Sequence, residues 1–286
     1  MSITRKKLTA LIAAAALCCG MALAITGCSS GGDGAASSSA APSSAAQSET
    51  RTFTDSLGRE VEVPATLDKI APSGHTAMQV LITMAPEKMV GISQEISADQ
   101  AKYLPIDAEN LPVFGAAFGA KGDMNKEAVA AAGAQIVIDT GEAKKGAKED
   151  LDALQEQLGI PVIFIEAKLS DYGAAYERLG ELLSMEERGS ELSTYCTDVY
   201  NKTVTTMENI PENERVCMAY LLGDNGLNAI AKTSFQAAVV DMVADNVVVV
   251  DDVSGKGNGN EISLEQIALW NPDLIVFQTG SIYDTV

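Results

Sequence analysis

Gln135-Ile136-Val137-Ile138, then Lys148-Glu149-Asp150-Leu151-Asp152-Ala153-Leu154-Gln155-Glu156-Gln157-Leu158, then Gly159-Ile160-Pro161 and Val162-Ile163-Phe164-Ile165, read as strand, helix and strand. Leu151, Leu154 and Leu158 recur at helical spacing, and Gly159 with Pro161 stops the helix. Short apolar runs around a longer amphipathic segment are the signature of βαβ units in a mostly parallel sheet. The same alternation extends backwards: strands are predicted at Lys69–Ala71, Met89–Ile92 and Val113–Phe114, and helices at Thr76–Met84 and Asn125–Ala132. Together these make a first α/β lobe over residues 51–168.

Working forwards, residues 169–210 are helical, from Tyr172 to about Met207, with interruptions near Ser184 and Gly189. In the later part Leu192, Tyr195, Val199 and Thr203 repeat at helical spacing. Some 22 residues at 1.5 Å each span about 33 Å, enough to carry the chain from one lobe to another. After Pro211 the pattern restarts with strand Val216–Leu222, helix Ser234–Ala244, strand Val247–Val250, helix Ser263–Trp270 and strand Leu274–Phe277. Three strands and two helices make an incomplete second lobe over residues 211–286, because a parallel sheet is covered by helices on both faces. A C-terminally truncated fragment is therefore expected.

The chain opens with Arg5, Lys6 and Lys7, followed by an uncharged Ala- and Leu-rich run from Leu8 to Ile25 and then Thr26-Gly27-Cys28. This resembles a bacterial lipoprotein signal, which implies removal of residues 1–27, a lipid on Cys28, and an extracytoplasmic location at the cell membrane. An uncleaved anchor needs roughly 20 apolar residues, and this run is slightly short and poor in large side chains. Two acyl chains give the lasting hold that one does not. Residues 28–50 are mostly Ser, Ala and Gly with one Pro and almost no large apolar residue, a composition that cannot offset its ordering entropy, and they read as a flexible tether after Cys28.

Loss of Arg5, Lys6 and Lys7 and of no acid leaves 17 basic against 39 acidic residues, a formal charge of −22 for the mature chain. That balance excludes nucleic acid as a partner, since clustered Lys and Arg supply most of that affinity. About 236 residues follow the tether, enough for two lobes. Outside the signal and the lipid site the cysteines are Cys196 and Cys217. Pairing in an oxidising compartment is open to them, but one lies in a helical and one in a strand pattern, and two buried free thiols are expected.

Phe53-Thr54-Asp55-Ser56-Leu57-Gly58-Arg59-Glu60-Val61-Glu62-Val63-Pro64, followed by Lys69-Ile70-Ala71-Pro72, resembles the opening of solute-binding proteins for iron-complex and cobalamin ABC importers. Ala85-Pro86-Glu87-Lys88-Met89-Val90-Gly91, Glu261-Ile262-Ser263-Leu264-Glu265-Gln266-Ile267 and Asn271-Pro272-Asp273-Leu274-Ile275-Val276-Phe277 continue the resemblance, which covers residues 51–286. It implies two Rossmann-like lobes of periplasmic-binding-protein type joined by a single long, stiff helix, with a ligand cleft between them and delivery to a permease and its ATPase. Family members usually run several tens of residues past the position of Phe277, in keeping with an incomplete second lobe.

Ligands of open α/β sheets bind at the carboxyl ends of strands. The loops there supply Ser73, Gly74 and His75; Phe114 and Gly115; Thr140, Lys144 and Lys145; Asn225; Lys256; and Gln278, Ser281 and Tyr283. Glycines let the backbone approach a bulky ligand, and Lys144, Lys145 and Lys256 suit an anionic chelate. His75, the single histidine, cannot build a His-rich zinc site, so no directly bound metal and no cofactor is expected; contact to a chelate or to a haem iron is its open role. Gly255-Lys256-Gly257-Asn258-Gly259-Asn260 lacks the spacing of a phosphate loop, and no Ser/His/Asp set is available without His75, so catalysis is not expected. The resemblance places permease docking on Gln79 in the first lobe, an amide where the family often has a carboxylate, and on Glu265 in the second; Glu87 is a substitute acid.

These readings make the chain a monomeric, lipid-anchored, non-enzymatic solute-binding protein of an ABC importer, capturing a ferric siderophore or related iron chelate. Haem or cobalamin is the alternative within the class. Outside it stand a tethered chelatase-like enzyme, disfavoured by the single histidine, and a lipoprotein of adhesion or assembly.

Overall fold

A computed structural model describes residues 49–118, 123–255 and 257–278. The signal and Cys28, with Lys256, Ser281 and Tyr283, lie outside the described residues. Strands β1 (Thr50–Thr54) and β2 (Glu60–Pro64) form an antiparallel hairpin with Thr54 opposite Glu60. Its turn needs Gly58, whose φ of 72° is left-handed, and Asp55, whose carboxylate accepts the backbone N–H groups of Leu57 and Arg59, both at 2.9 Å.

Three parallel strands follow, β3 (Ile70–Pro72), β4 (Ile136–Gly141) and β5 (Val162–Glu166), in the spatial order β3-β4-β5. The two expected strands beyond β3 are reduced to single bridges, Ile70 with Met89 and Ile92 with Val113. Pro112 offers its carbonyl to the Ile92 N–H but has no N–H to return, so this ladder stays short. The parallel order across this half is therefore Val113, Met89–Ile92, β3, β4, β5, and the chain reverses its direction of growth between β3 and β4.

Helices α1 (His75–Met84), α2 (Ala98–Ala101), α3 (Lys126–Ala131), α4 (Ala147–Leu158), α5 (Tyr172–Leu183) and α6 (Glu186–Glu208) lie in and after this half. Successive strand residues face opposite layers. Ile136, Ile138, Ile163 and Ile165 pack with Met78, Leu81 and Leu179 from α1 and α5, whereas Val137, Val162 and Phe164 pack with Val129, Leu151 and Leu154 from α3 and α4. Both faces are thus covered, which explains the unbroken apolar strands.

The hairpin is fastened to β5. The Ser56 N–H donates to the Phe164 carbonyl at 3.0 Å, the Glu166 N–H donates to Ser56 Oγ at 2.9 Å, and the Phe164 N–H donates to Asp55 Oδ2 at 3.3 Å. Buried Arg59 completes the joint, donating to Asp55 Oδ2 at 3.1 Å, Asp152 Oδ1 at 2.8 Å and the Val162 carbonyl at 3.0 Å. A buried guanidinium is tolerable only with such full pairing.

The helical region breaks at Ser184, a left-handed residue with φ of 54°, but not at Gly189, through which α6 runs for 23 residues. Gly189 instead permits close packing: a Cβ there would sit 2.7 Å from the Tyr176 carbonyl and 3.0 Å from the Gly180 Cα of α5. Helix α6 spans about 35 Å and contacts α1, α5 and α7 (Ala238–Val243). Gln47–Val286 consequently forms one compact unit.

The second sheet contains β6 (Cys217–Leu222), β7 (Asn228–Ala229), β8 (Asp245–Asn246), β9 (Asn260–Glu261) and β10 (Leu274–Phe277), with α8 (Leu264–Trp270) before the last strand. Its order is β10-β6-β7-β9, with β8 also on β6. The expected parallel arrangement holds for β10 and β8 against β6, whereas β7 pairs antiparallel with β6 and β9 antiparallel with β7. Left-handed Gly223 and Gly226 fold β7 straight back onto β6. Nor do Val247–Val250 form a strand, because the Asn246 side chain takes the Val248 N–H at 3.1 Å and diverts the chain. The helix expected over Ser234–Ala244 begins as a 3₁₀ turn at Phe235–Ala237. Cys196 and Cys217 are free, as expected, but half-buried rather than buried. Among the described residues no helix is long and apolar enough to cross a membrane.

Candidate functional site at the carboxyl edge of the first sheet

The reversal between β3 and β4 is a topological switch point, the place where ligands of open α/β sheets bind. Ser73 leaves β3 with its N–H on the Ile138 carbonyl at 3.0 Å, and its own carbonyl accepts the Ala117 N–H at 2.7 Å. Gly74 precedes α1 without a side-chain cap, and no acid occupies the first helical turn. The segment carrying Phe114 and Gly115 is folded over the end of β3 by hydrogen bonds from the Asp123 and Met124 N–H groups to Ala116 and from Asn125 to Phe114. Gly115 has φ of 78°, and a Cβ on it would meet the Asp123 carbonyl at 3.0 Å.

At this edge the Ser73 hydroxyl donates to Asp139 Oδ1. Burial pushes the Asp139 carboxyl above its ordinary range, outweighing the opposing pulls of Ser73, the Thr140 backbone and the more distant Lys144. Next to it, Thr140 is 6% exposed and its Oγ1 is buried without a hydrogen-bond partner. Gly141 ends the strand with φ of 147° and open space where a Cβ would point. A buried unpaired hydroxyl on one face of the strand end and a half-buried, desolvated carboxyl on the other are costly for the chain and mark a locus for an outside hydrogen-bonding group.

The structure brings Ser73, Gly74, Gly115 and Thr140 to this edge, with exposed His75 opening α1 and exposed Lys144 and Lys145 in the turn before α4. Phe114 is different. Its side chain is fully buried, the ring lying where a Cβ on Gly91 would stand, so it is core and presents no surface to a ligand. Asn225 is exposed in the β6–β7 turn, and Gln278 prolongs the β10–β6 pairing through its N–H to Leu221. Gln79 and Glu87 are exposed on and after α1. Exposed Glu265 lies in the first turn of α8, where its own N–H and the Ser263 hydroxyl hold the carboxyl below its ordinary range. Among the described residues no group of His, Cys, Asp and Glu is arranged to hold a metal ion. Asp139 was hidden from sequence reading because the apolar run ends at Ile138; an acid following directly on a fully buried strand was the available signal.

This arrangement of sheets, joining helix and edge loops recurs in solved structures. The fold is that of periplasmic solute-binding proteins. An ABC transporter solute-binding protein from Sulfurospirillum deleyianum matches with a TM-score of 0.73 and 23% identity over 82% of this chain and 74% of its own. The molybdate periplasmic binding protein MolA of Haemophilus influenzae, bound to molybdate, matches at 0.62 with 19% identity over 82% of this chain and 76% of that one. The TroA-like periplasmic binding protein FepB from Veillonella parvula matches at 0.60 with 21% identity over 79% and 69%. No protein-family model matches the chain, and none of the curated proteins does.

Proposed function

We propose that this chain is the extracytoplasmic, lipid-anchored solute-binding component of an ABC importer, a non-catalytic protein that captures a ferric siderophore or related iron chelate and passes it to a permease. The observation that carries the reading is the edge itself: an uncapped α1, the Ser73–Asp139 contact and, on the opposite face of β4, an unpaired Thr140 hydroxyl lie at the switch point of a solute-binding fold. The iron-chelate class comes from the sequence resemblance. By the strand-end rule Asn225, Lys256, Gln278, Ser281 and Tyr283 are the further ligand candidates, and the sequence resemblance gives Gln79 and Glu265 to the permease. Exposed His75 favours haem as the second reading, since an imidazole at the edge can ligate iron.

Calorimetric titration of the protein with ferric siderophores, haem and cobalamin in parallel tests this. Saturable submicromolar binding of an iron chelate is the expected result. Binding of haem alone selects the second reading, and folded protein that binds none of the three removes the importer assignment. The anchor has its own test: Cys28→Ala leaves the protein unprocessed or released from membranes.

A further inference from the structure

Two acids lie against the first sheet, buried Asp55 from the hairpin turn and half-buried Asp139 at the end of β4, and the chain treats them differently. Asp55 is neutralised by the Arg59 guanidinium at 3.1 Å. Asp139 has no ion-pair partner among the described residues, and its nearest cation, Lys144, is exposed and acts only at a distance. The Ser73 hydroxyl and the Thr140 backbone give that carboxyl hydrogen bonds but no counter-charge, and fold stability alone does not account for a desolvated acid at this edge, because an apolar residue would remove its cost. On the opposite face of β4 the Thr140 hydroxyl has no hydrogen-bond partner among the described residues. We propose that Asp139, seated against Ser73 at the switch point, selects the ligand by charge, admitting neutral or cationic chelates and rejecting polyanionic ones.

The inference rests on the solute-binding reading above and narrows its ligand. A cationic or hydrogen-bond-donating group brought to Asp139 supplies what the chain withholds from it. A polyanion meets either a like charge in a poorly screened place or a carboxyl that must stay protonated to receive it. Asp123, on the segment folded over Ser73, adds a second acid at the same edge. Lys144 and Lys145 stand in water on the turn before α4, where screening leaves them little influence on a buried contact. On this inference the half-buried Asp139 outweighs the exposed lysines that suit an anionic chelate.

The test is calorimetric titration of the full chain with a ferric trishydroxamate bearing a free ammonium and with a trianionic ferric triscatecholate. It is run on the wild type, Asp139→Asn and Lys144→Ala. The wild type is expected to prefer the cationic chelate by about tenfold or more. Asp139→Asn, with a retained cooperative melt, should collapse that preference, and Lys144→Ala should leave it within about threefold. Asp139→Ala gives the same comparison if the amide disturbs the Ser73 contact. Preference for the triscatecholate, or a preference unmoved by either Asp139 substitution, overturns the charge selection while leaving the importer reading intact. Failure of the folded wild type to bind either chelate removes the iron-chelate reading and this inference with it.

Discussion

The two sheets are built on opposite principles. In the first, every strand is parallel and clothed on both faces, and its polar exceptions are either fully paired, as Arg59 is, or gathered at one edge, as Asp139 and Thr140 are. The second sheet is mixed, its apolar clusters are small, and its edge strand β10 leaves Leu274 46% and Phe277 40% exposed, while Leu269 of α8 is 83% exposed. Stability in this fold is concentrated where two layers of helix meet one sheet; the mixed sheet contributes loops more than core.

The sharpest way to break that contrast is Arg59→Met. It strands Asp55, whose side chain is 0% exposed, and unfastens the hairpin from β5. Removal of one partner from a buried pair costs about 3–5 kcal/mol, so a large fall in the denaturation midpoint is expected. A loss below about 1 kcal/mol, a value typical of exposed pairs, would show that the hairpin is an appendage and not part of the first core. Next comes Gly189→Ala. The added methyl meets the Tyr176 carbonyl and Gly180 at the α5–α6 crossing, an overpacking cost of about 1–3 kcal/mol. Tolerance of this change would mean that the joining helix shifts freely against the first half.

Two substitutions at the edge are expected to act in the other direction. Thr140→Val deletes the unpaired hydroxyl and should stabilise the ligand-free protein by up to about 1 kcal/mol while weakening ligand binding. Asp139→Asn carries a pH signature. The folded carboxyl titrates above the ordinary 3.8, so the native state holds its proton to higher pH than the unfolded chain does. The wild type loses stability as pH rises through that window. The amide should therefore be the more stable variant at neutral pH, with the gap closing as pH falls towards the ordinary carboxylate range. An unchanged gap across that range would show that burial does not control this carboxyl.

How much of this was legible depends on what kind of signal each part leaves. Strands β4 and β5 with α4 were readable to within a few residues, because apolar runs, leucines at helical spacing and Gly159 all report the same local geometry. The breaks were half readable: Ser184 ends α5, but Gly189 serves a tertiary crossing that only the partner helix reveals. The antiparallel β7 and β9, two residues each, are too short to leave a periodic pattern. At the site, loop positions followed from strand ends, yet side-chain direction did not. Phe114 turned inwards onto Gly91, and Asp139 was set by a neighbour 66 positions away in sequence.

The smallest expected effect tests the second sheet. Phe277 lies on edge strand β10, paired on one side only with β6, and is 40% exposed. Phe277→Ala should change stability by no more than about 0.5 kcal/mol, the range of surface substitutions, because few contacts are lost and no cavity is made. An exposed apolar edge also offers unpaired backbone groups to another strand, so Ile275→Lys should reduce any concentration-dependent association without altering the melt. Light scattering at several concentrations, alongside thermal denaturation, separates the two effects. A loss at Phe277→Ala comparable to that at Gly189→Ala would place β10 within a true core, and the contrast between the sheets would then lie in topology and not in packing.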